Sequence, residues 1–347
     1  HFELIFNAYI NLLNFNYRVG SGIDEAKAVL AEGDALAAQI GDEGLRLTLS
    51  LCYSRALCAA GDAEAYFQLA EANYTTAFEQ DVPHLRPLAT LLFCDSMAHS
   101  ARNLRGLEEA DKAMAAWPPD LQRGYWISGN NPHTFFVFIG GSYLTWLGRQ
   151  DEARTRLEDA RDRAIADDTP EVVGWCGYLL TQVHTWLGDG QAALTQAREV
   201  AEISDKLGSP LLGLYRHLCF AMAYGVMGQP EKAIPEAEAA IRMARSGEQH
   251  WIGGAQAQLA LALIADGQNE RAVEVARQAV ADCDASGTRH FGALARCALA
   301  RALARTGGDA RDITDLFTEV DARIADGSAA ALAAYVDGWR AEAAAAV

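Results

Sequence analysis

From Gly148 onward, apolar and polar positions recur in blocks. Five positions after Gly148, Gly188, Gly228 and Gly267 stands an alanine: Ala153, Ala193, Ala233 and Ala272. Apolar or small residues follow 4, 7 and 11 positions later, as in Leu157, Ala160 and Ala164, or Ala276, Ala279 and Cys283. That spacing draws one stripe along a helix of 3.6 residues per turn, the face that has to be buried. The opposite face carries Glu152 with Arg156 and Asp159 with Arg163, at the i,i+4 separation that supports an exposed helix. Ahead of each amphipathic block runs a bulkier, more apolar one. Trp175, Tyr178, Leu179, Val183, Trp186 and Leu187 form one of these; Leu211, Leu214, Tyr215, Leu218, Phe220 and Met227 form the next.

Glycines punctuate this alternation. Gly148, Gly188, Gly228, Gly267 and Gly307 are 40, 40, 39 and 40 residues apart. A second series, Gly208, Gly247, Gly287 and Gly327, is spaced by 39, 40 and 40 and falls about midway between the first. Glycine is favoured just past a helix end because it takes the left-handed conformation without a side-chain clash. Two such stops per period predict a helical hairpin as the repeating unit. Gly174, Gly213, Gly253 and Gly292 recur inside the bulkier helices. A helix-interior glycine costs about 1 kcal/mol relative to alanine, so its recurrence predicts a close approach between helices. Pro170 and Pro210 precede a first helix, Pro230 precedes a second, and Pro235 suits a first turn. Toward the N-terminus the ladder continues less evenly through Arg105 in a glycine slot, Gly61 and Ser21, with steps of 43, 44 and 40.

The expected fold is all-α: a right-handed superhelical solenoid of about eight helix-turn-helix units. Their approximate bounds are 1–41, 42–82, 83–119, 120–168, 169–208, 209–247, 248–287 and 288–327, with a capping helix over 328–347. Stacked hairpins bury a continuous core and leave a long concave surface. Trp251 and Phe291 lie 16 residues before Gly267 and Gly307, equivalent positions that predict repeat-to-repeat packing rather than a ligand cage. The eighth unit is atypical, since Asp312 stands where the alanine is expected.

The 347 residues, which would otherwise suggest two domains, therefore read as one array. A net charge of −17 argues against a nucleic-acid surface, which needs clustered Lys and Arg. It fits a solvated outer face and, secondarily, a basic or mixed-charge partner. Seven scattered cysteines form no C-x-x-C pair, so they read as small buried hydrophobes in a reducing cytoplasm. The apolar run Phe135–Ile139 ends at Gly140 and is too short to span a membrane. The chain begins at His1 inside an apolar helical pattern, which is expected of a piece of a longer soluble protein.

Trp146-Leu147-Gly148 and Trp186-Leu187-Gly188, each followed by an acidic stretch and an alanine, resemble tetratricopeptide repeats with lengthened helices. Three phrases are similar to the C-terminal repeat arrays of multidomain class III nucleotide cyclases that carry a P-loop ATPase domain. They are Ile203-Ser204-Asp205-Lys206-Leu207-Gly208-Ser209-Pro210, Gly287-Thr288-Arg289, and Gly148-Arg149-Gln150-Asp151-Glu152-Ala153-Arg154. Large ATP-binding LuxR-type transcription activators have arrays of similar appearance. The resemblance implies a non-catalytic interaction or sensor domain that regulates attached modules. It would bind a protein or peptide partner, other domains of its own chain, or a small effector on the concave face.

The sequence offers no chemistry of its own. There is no P-loop, no H-E-x-x-H and no G-x-S-x-G. His217 with Cys219 and Cys94 with His99 are misaligned for one metal ion, so no metal or cofactor site is expected. One region breaks the rhythm: Trp117-Pro118-Pro119, then Tyr125 to His133, then Phe135, Phe136 and Phe138. The Pro-Pro and Asn-Asn-Pro steps predict a helix boundary between Trp117 and Pro132. Tyr125, Trp126, Asn130, Asn131 and His133 are the candidate partner-binding residues here. The plainer reading, and the favoured one, is an irregular join whose aromatics fill the core. An enzyme with a site in 117–141 is the remaining alternative.

Overall fold

In a computed structural model of the chain, residues 2–19, 22–80, 82–119 and 131–346 are described, and every regular element among them is helical. Seventeen α-helices follow one another: α1 (Phe2–Val19), α2 (Ile23–Ile40), α3 (Glu43–Ala59), α4 (Ala63–Glu79), α5 (Arg86–His99), α6 (Asn103–Ala116), α7 (Pro132–Trp146), α8 (Gln150–Ala166), α9 (Pro170–Trp186), α10 (Gly190–Leu207), α11 (Pro210–Val226), α12 (Pro230–Ser246), α13 (Ile252–Ala265), α14 (Asn269–Ser286), α15 (Arg289–Arg305), α16 (Ala310–Ala325) and α17 (Ala333–Ala346). Consecutive helices pack as hairpins, and each hairpin packs on the next. Among the described residues no helix is long and apolar enough to cross a membrane.

The two helix types separate as the pattern predicts. In α8 only Ala153, Leu157, Ala160 and Ala164 are buried, a single stripe. In α7 fourteen of the fifteen residues are buried, and in α9, α13 and α15 more than half are. Eight of the nine ladder glycines have φ between 62° and 79°, ending their helices in the left-handed conformation. After Gly61 and Gly188 an aspartate restarts the chain: Asp62 accepts from the Ala65 amide at 2.8 Å and Asp189 from the Ala192 amide at 2.9 Å. The interior glycines mark close approach. A Cβ on Gly174 would stand 2.6 Å from Leu212 Cδ2, and one on Gly213 2.5 Å from Met243 Cε.

Three sequence expectations need correction. The upstream rung is not Arg105, which lies within α6 and pairs with Glu71 at 2.7 Å. The left-handed residue is Ala101, with φ of 58°, placed 40 residues after Gly61. All the extra length therefore falls between α6 and α7. Gly247 is extended rather than left-handed, with φ of −166°, and leads into a short 3-10 turn over Gln249–Trp251. Glu152 pairs with Arg149 instead of Arg156, whose guanidinium turns inward to Asp111 at 2.6 Å and the Val137 carbonyl at 3.2 Å. The predicted Asp159–Arg163 pair is present at 3.0 Å. In the last hairpin Ile313, not a residue at 312, opens the buried stripe with Phe317 and Val320. The additional Gly308 moves that helix by one position.

The concave surface is closed. The array turns far enough for its early hairpins to meet its late ones. Asn103 at the start of α6 donates from Nδ2 to the carbonyls of Gly327 and Ser328, at 3.0 and 3.1 Å. Gly61 lies against Gln249, and Gly148 against Ala331. The Tyr335 hydroxyl of α17 donates to the Trp186 carbonyl. What would be an open groove becomes a ring with an interior.

Candidate functional site

The first helices of the hairpins face that interior, because their apolar surface is too broad for one neighbouring helix to cover. They line a central cavity with about 100 Å³ of room for the centre of a water-sized sphere, open on one side to solvent. One wall is aromatic. Tyr178 of α9 stacks on Tyr215 of α11 with centroids 4.4 Å apart, and Trp251 stands edge-on to both at 5.4 and 5.2 Å. Phe291 continues the belt 5.2 Å from Trp251, and Trp146 follows 5.5 Å beyond it. Trp251 and Phe291 thus pack on one another, as their equivalent positions predict. They also line the cavity, which the sequence reading set aside.

The other wall is polar and is made where the two ends of the array meet. Arg55 and Cys58 come from α3, Asp95 and His99 from α5, and Glu248 and His250 from the turn that follows Gly247. Asp95 accepts the Tyr66 hydroxyl at 2.8 Å and lies 3.7 Å from His99 Nε2. The His99 and His250 rings meet edge-on with centroids 4.7 Å apart. Burial, with Asp95 and Glu171 adding to it against the opposing Arg55, pushes the Glu248 carboxyl up to about 7. Burial, and then the neighbouring His99, drives the His250 imidazole well below its ordinary range and His290 down to about 3.

Several buried polar atoms in this cavity have no hydrogen-bond partner. They include the indole nitrogens of Trp175 and Trp251, Gln182 Oε1 and both ring nitrogens of His250. Buried polar groups are normally satisfied, and each exception asks what would satisfy it. Two N–H donors and an amide acceptor beside stacked aromatic rings suit a ligand with an apolar body and amide-like polar groups.

The residues singled out in the irregular segment have different settings. Tyr125, Trp126 and Asn130 lie outside the described residues. Asn131 caps α7: its Oδ1 accepts from the His133 amide at 2.9 Å, and its Nδ2 donates to the Pro119 carbonyl at 3.0 Å. His133 Nδ1 meets the Trp117 carbonyl at 3.1 Å. Both side chains are buried and engaged with backbone, and neither lines the central cavity. Phe136 stacks on Trp117, whereas Phe135 and Phe138 face the cavity beside Trp175. Of the two weak metal pairings, His217 bonds Glu236 at 2.6 Å and Cys219 is buried near Thr181. His99 reaches the cavity without Cys94, whose carbonyl takes the Tyr143 hydroxyl. The polar wall escaped sequence reading because its members are scattered from Arg55 to His290.

No protein-family model matches the sequence, and no curated protein is similar to it. Solved structures are. A Rap protein in complex with competence and sporulation factor superposes with a TM-score of 0.64 over 100% of both chains, at 13% identity. NprR in complex with its cognate peptide NprX does so with a TM-score of 0.58, at 14% identity, over 91% of this chain and 87% of that one. At such identities the likeness is one of fold: the chain is an all-α array of sequential helix pairs of the tetratricopeptide type.

Proposed function

We propose that the chain is a non-catalytic sensor array that binds a short peptide or a small effector of peptide-like chemistry in its central cavity. The observation that carries this is the pairing of an aromatic belt with unsatisfied buried donors and acceptors at Trp175, Trp251 and Gln182. NprR, of similar fold, is in complex with a cognate peptide, which supports a peptide as the class of ligand. Occupancy acts on the closure between early and late hairpins, since both contribute to the cavity wall. A ligand that binds the closed ring more tightly than an open one shifts the population toward it. The modules so regulated are those of the larger signalling proteins that the repeat phrases resemble, the cyclase type first and the LuxR type second. The setting is cytoplasmic, in keeping with seven buried, unpaired cysteines.

The test is selection of short random peptides displayed on phage against the full chain. Enriched sequences are then titrated by calorimetry into the wild type and into Trp251→Ala and Gln182→Leu. Binding that weakens by tenfold or more (about 1.4 kcal/mol) in both variants supports the reading. Selected peptides that bind both variants unchanged place recognition on another surface and end it.

A further inference from the structure

The polar wall contains three side chains of metal-ligating chemistry from three distant parts of the chain. Cys58 closes α3, His99 closes α5, and His250 sits in the turn between α12 and α13. One ligand atom from each lies within 4.8 Å of the others. We propose that Cys58, His99 and His250 form a binding site for a divalent transition ion of the zinc class, with its fourth position open to the cavity.

Four features point this way. Thiolate plus two imidazoles is a donor set that selects zinc-like ions over magnesium or calcium, which take oxygen ligands. His250 is only 3% exposed, yet neither of its ring nitrogens makes a hydrogen bond of normal geometry, although it lies near the Cys58 backbone. Glu248 Oε2 stops 3.7 Å from His250 Nδ1, beyond hydrogen-bond reach. With the Cys58 backbone as its one polar neighbour, the ring keeps a nitrogen free for an occupant. Third, Asp95, itself held by Tyr66, places a carboxylate 3.7 Å from His99 Nε2, and a negative charge so close favours a cation at this wall. Fourth, the ligands border the cavity, so water or an acidic group of a bound effector can complete a tetrahedron.

Binding is a proton exchange without redox change. The Cys58 S–H bond breaks, an S–metal bond forms, and one proton leaves to solvent. Because the three ligands belong to the second, third and seventh hairpins, the ion staples the seam of the ring. Anything that binds the closed form and not the open one stabilises it. This inference rests on the closure geometry and does not require that the cavity bind a peptide, so either reading can fail alone.

The test uses the full chain, stripped with chelator and titrated with Co²⁺, then Zn²⁺. The expected result is one equivalent of Co²⁺ with a thiolate-to-cobalt charge-transfer band and intense tetrahedral d–d bands, bleached by Zn²⁺. Zn²⁺ also raises the melting temperature. Cys58→Ser and His250→Asn each remove the charge-transfer band and weaken Zn²⁺ binding by about 100-fold or more, while Cys94→Ser keeps both. Circular dichroism confirms that the variants fold, and the Co²⁺ spectrum of the unmutated chain decides the matter if they do not. Absence of the charge-transfer band in that chain overturns the proposal. So does its persistence in Cys58→Ser, or uptake of several equivalents with no change in melting temperature.

Discussion

Gly140 exists where it does because Arg156 fills the space its side chain would take. A Cβ on Gly140 would overlap the guanidinium carbon of Arg156, which crosses from α8 to α7. The guanidinium could swing aside only by leaving Asp111 at 2.6 Å and the carbonyls of Val137 and Phe136. Gly140→Ala is therefore expected to lower stability by about 1–3 kcal/mol despite alanine's better helix propensity. Arg156→Ala in the same chain should recover part of that loss. Urea titration of the two single variants and the double supplies the coupling; strict additivity would contradict the account.

Asn103 carries a second prediction. Its side chain is the only buried amide among the described residues that joins α6 to the carbonyls of Gly327 and Ser328. Asn103→Ala leaves those acceptors without it and should cost about 1–3 kcal/mol. If the seam is what closes the ring, small-angle scattering will show a larger radius of gyration for the variant. An unchanged radius would mean that closure is held elsewhere.

Glycine stops and their exceptions should respond oppositely. Gly267 has φ of 78° with nothing near the place of a Cβ. Gly267→Ala should cost about 1 kcal/mol through backbone strain alone. Asp168 occupies the same conformation, with φ of 51°, on an exposed turn. Asp168→Gly should stabilise by roughly 0.5 kcal/mol, the strain relieved less the added freedom of the unfolded chain. Thermal melts that order the two variants the other way would refute the reading.

His290 makes stability depend on pH. Burial, and secondarily His99, hold its folded value near 3 against 6.5 in the unfolded chain. The stability that follows from a depressed imidazole is fully present above pH 6.5 and is lost as pH falls toward 3. Glu248, held near 7, works in the opposite sense: it favours folding at low pH and loses that contribution as pH rises from 4.5 to 7. Comparing the wild type with His290→Gln cancels the Glu248 contribution. Below pH 6.5 the wild type should lose about 1.4 kcal/mol per pH unit more than the variant. Parallel curves between pH 6.5 and 5 would show that His290 takes its proton in the folded state.

The hairpins could be read from sequence because their determinants are local. A stripe such as Ala153, Leu157, Ala160 and Ala164, or a glycine at a left-handed stop, needs only its own few turns of chain. The third hairpin misled because Gly106, Leu107 and Ala110 imitate the start of a second helix, while the true stop is Ala101, an alanine in a glycine's conformation. Ring closure was out of reach for a different reason. It depends on a small rotation per hairpin summed over the array, and no single residue records that sum. For the same reason Cys58, His99 and His250 could not be grouped: 41 and 151 residues separate them. Trp251 and Phe291 show the boundary well. Their mutual contact follows from period and position, whereas the cavity they line exists only once distant hairpins meet.

The seam also has a place in time. Contacts within and between adjacent hairpins join residues a few tens of positions apart, while Asn103 and Gly327 are separated by 224. Loop-closure entropy has to be met before such distant contacts give anything back, so adjacent hairpins stack first and the seam zips last. The cavity is then the final part of the molecule to appear on folding and the first to be lost on partial opening. A ligand or ion inside it acts on that last step alone, where a modest free energy suffices to change how much of the population is shut.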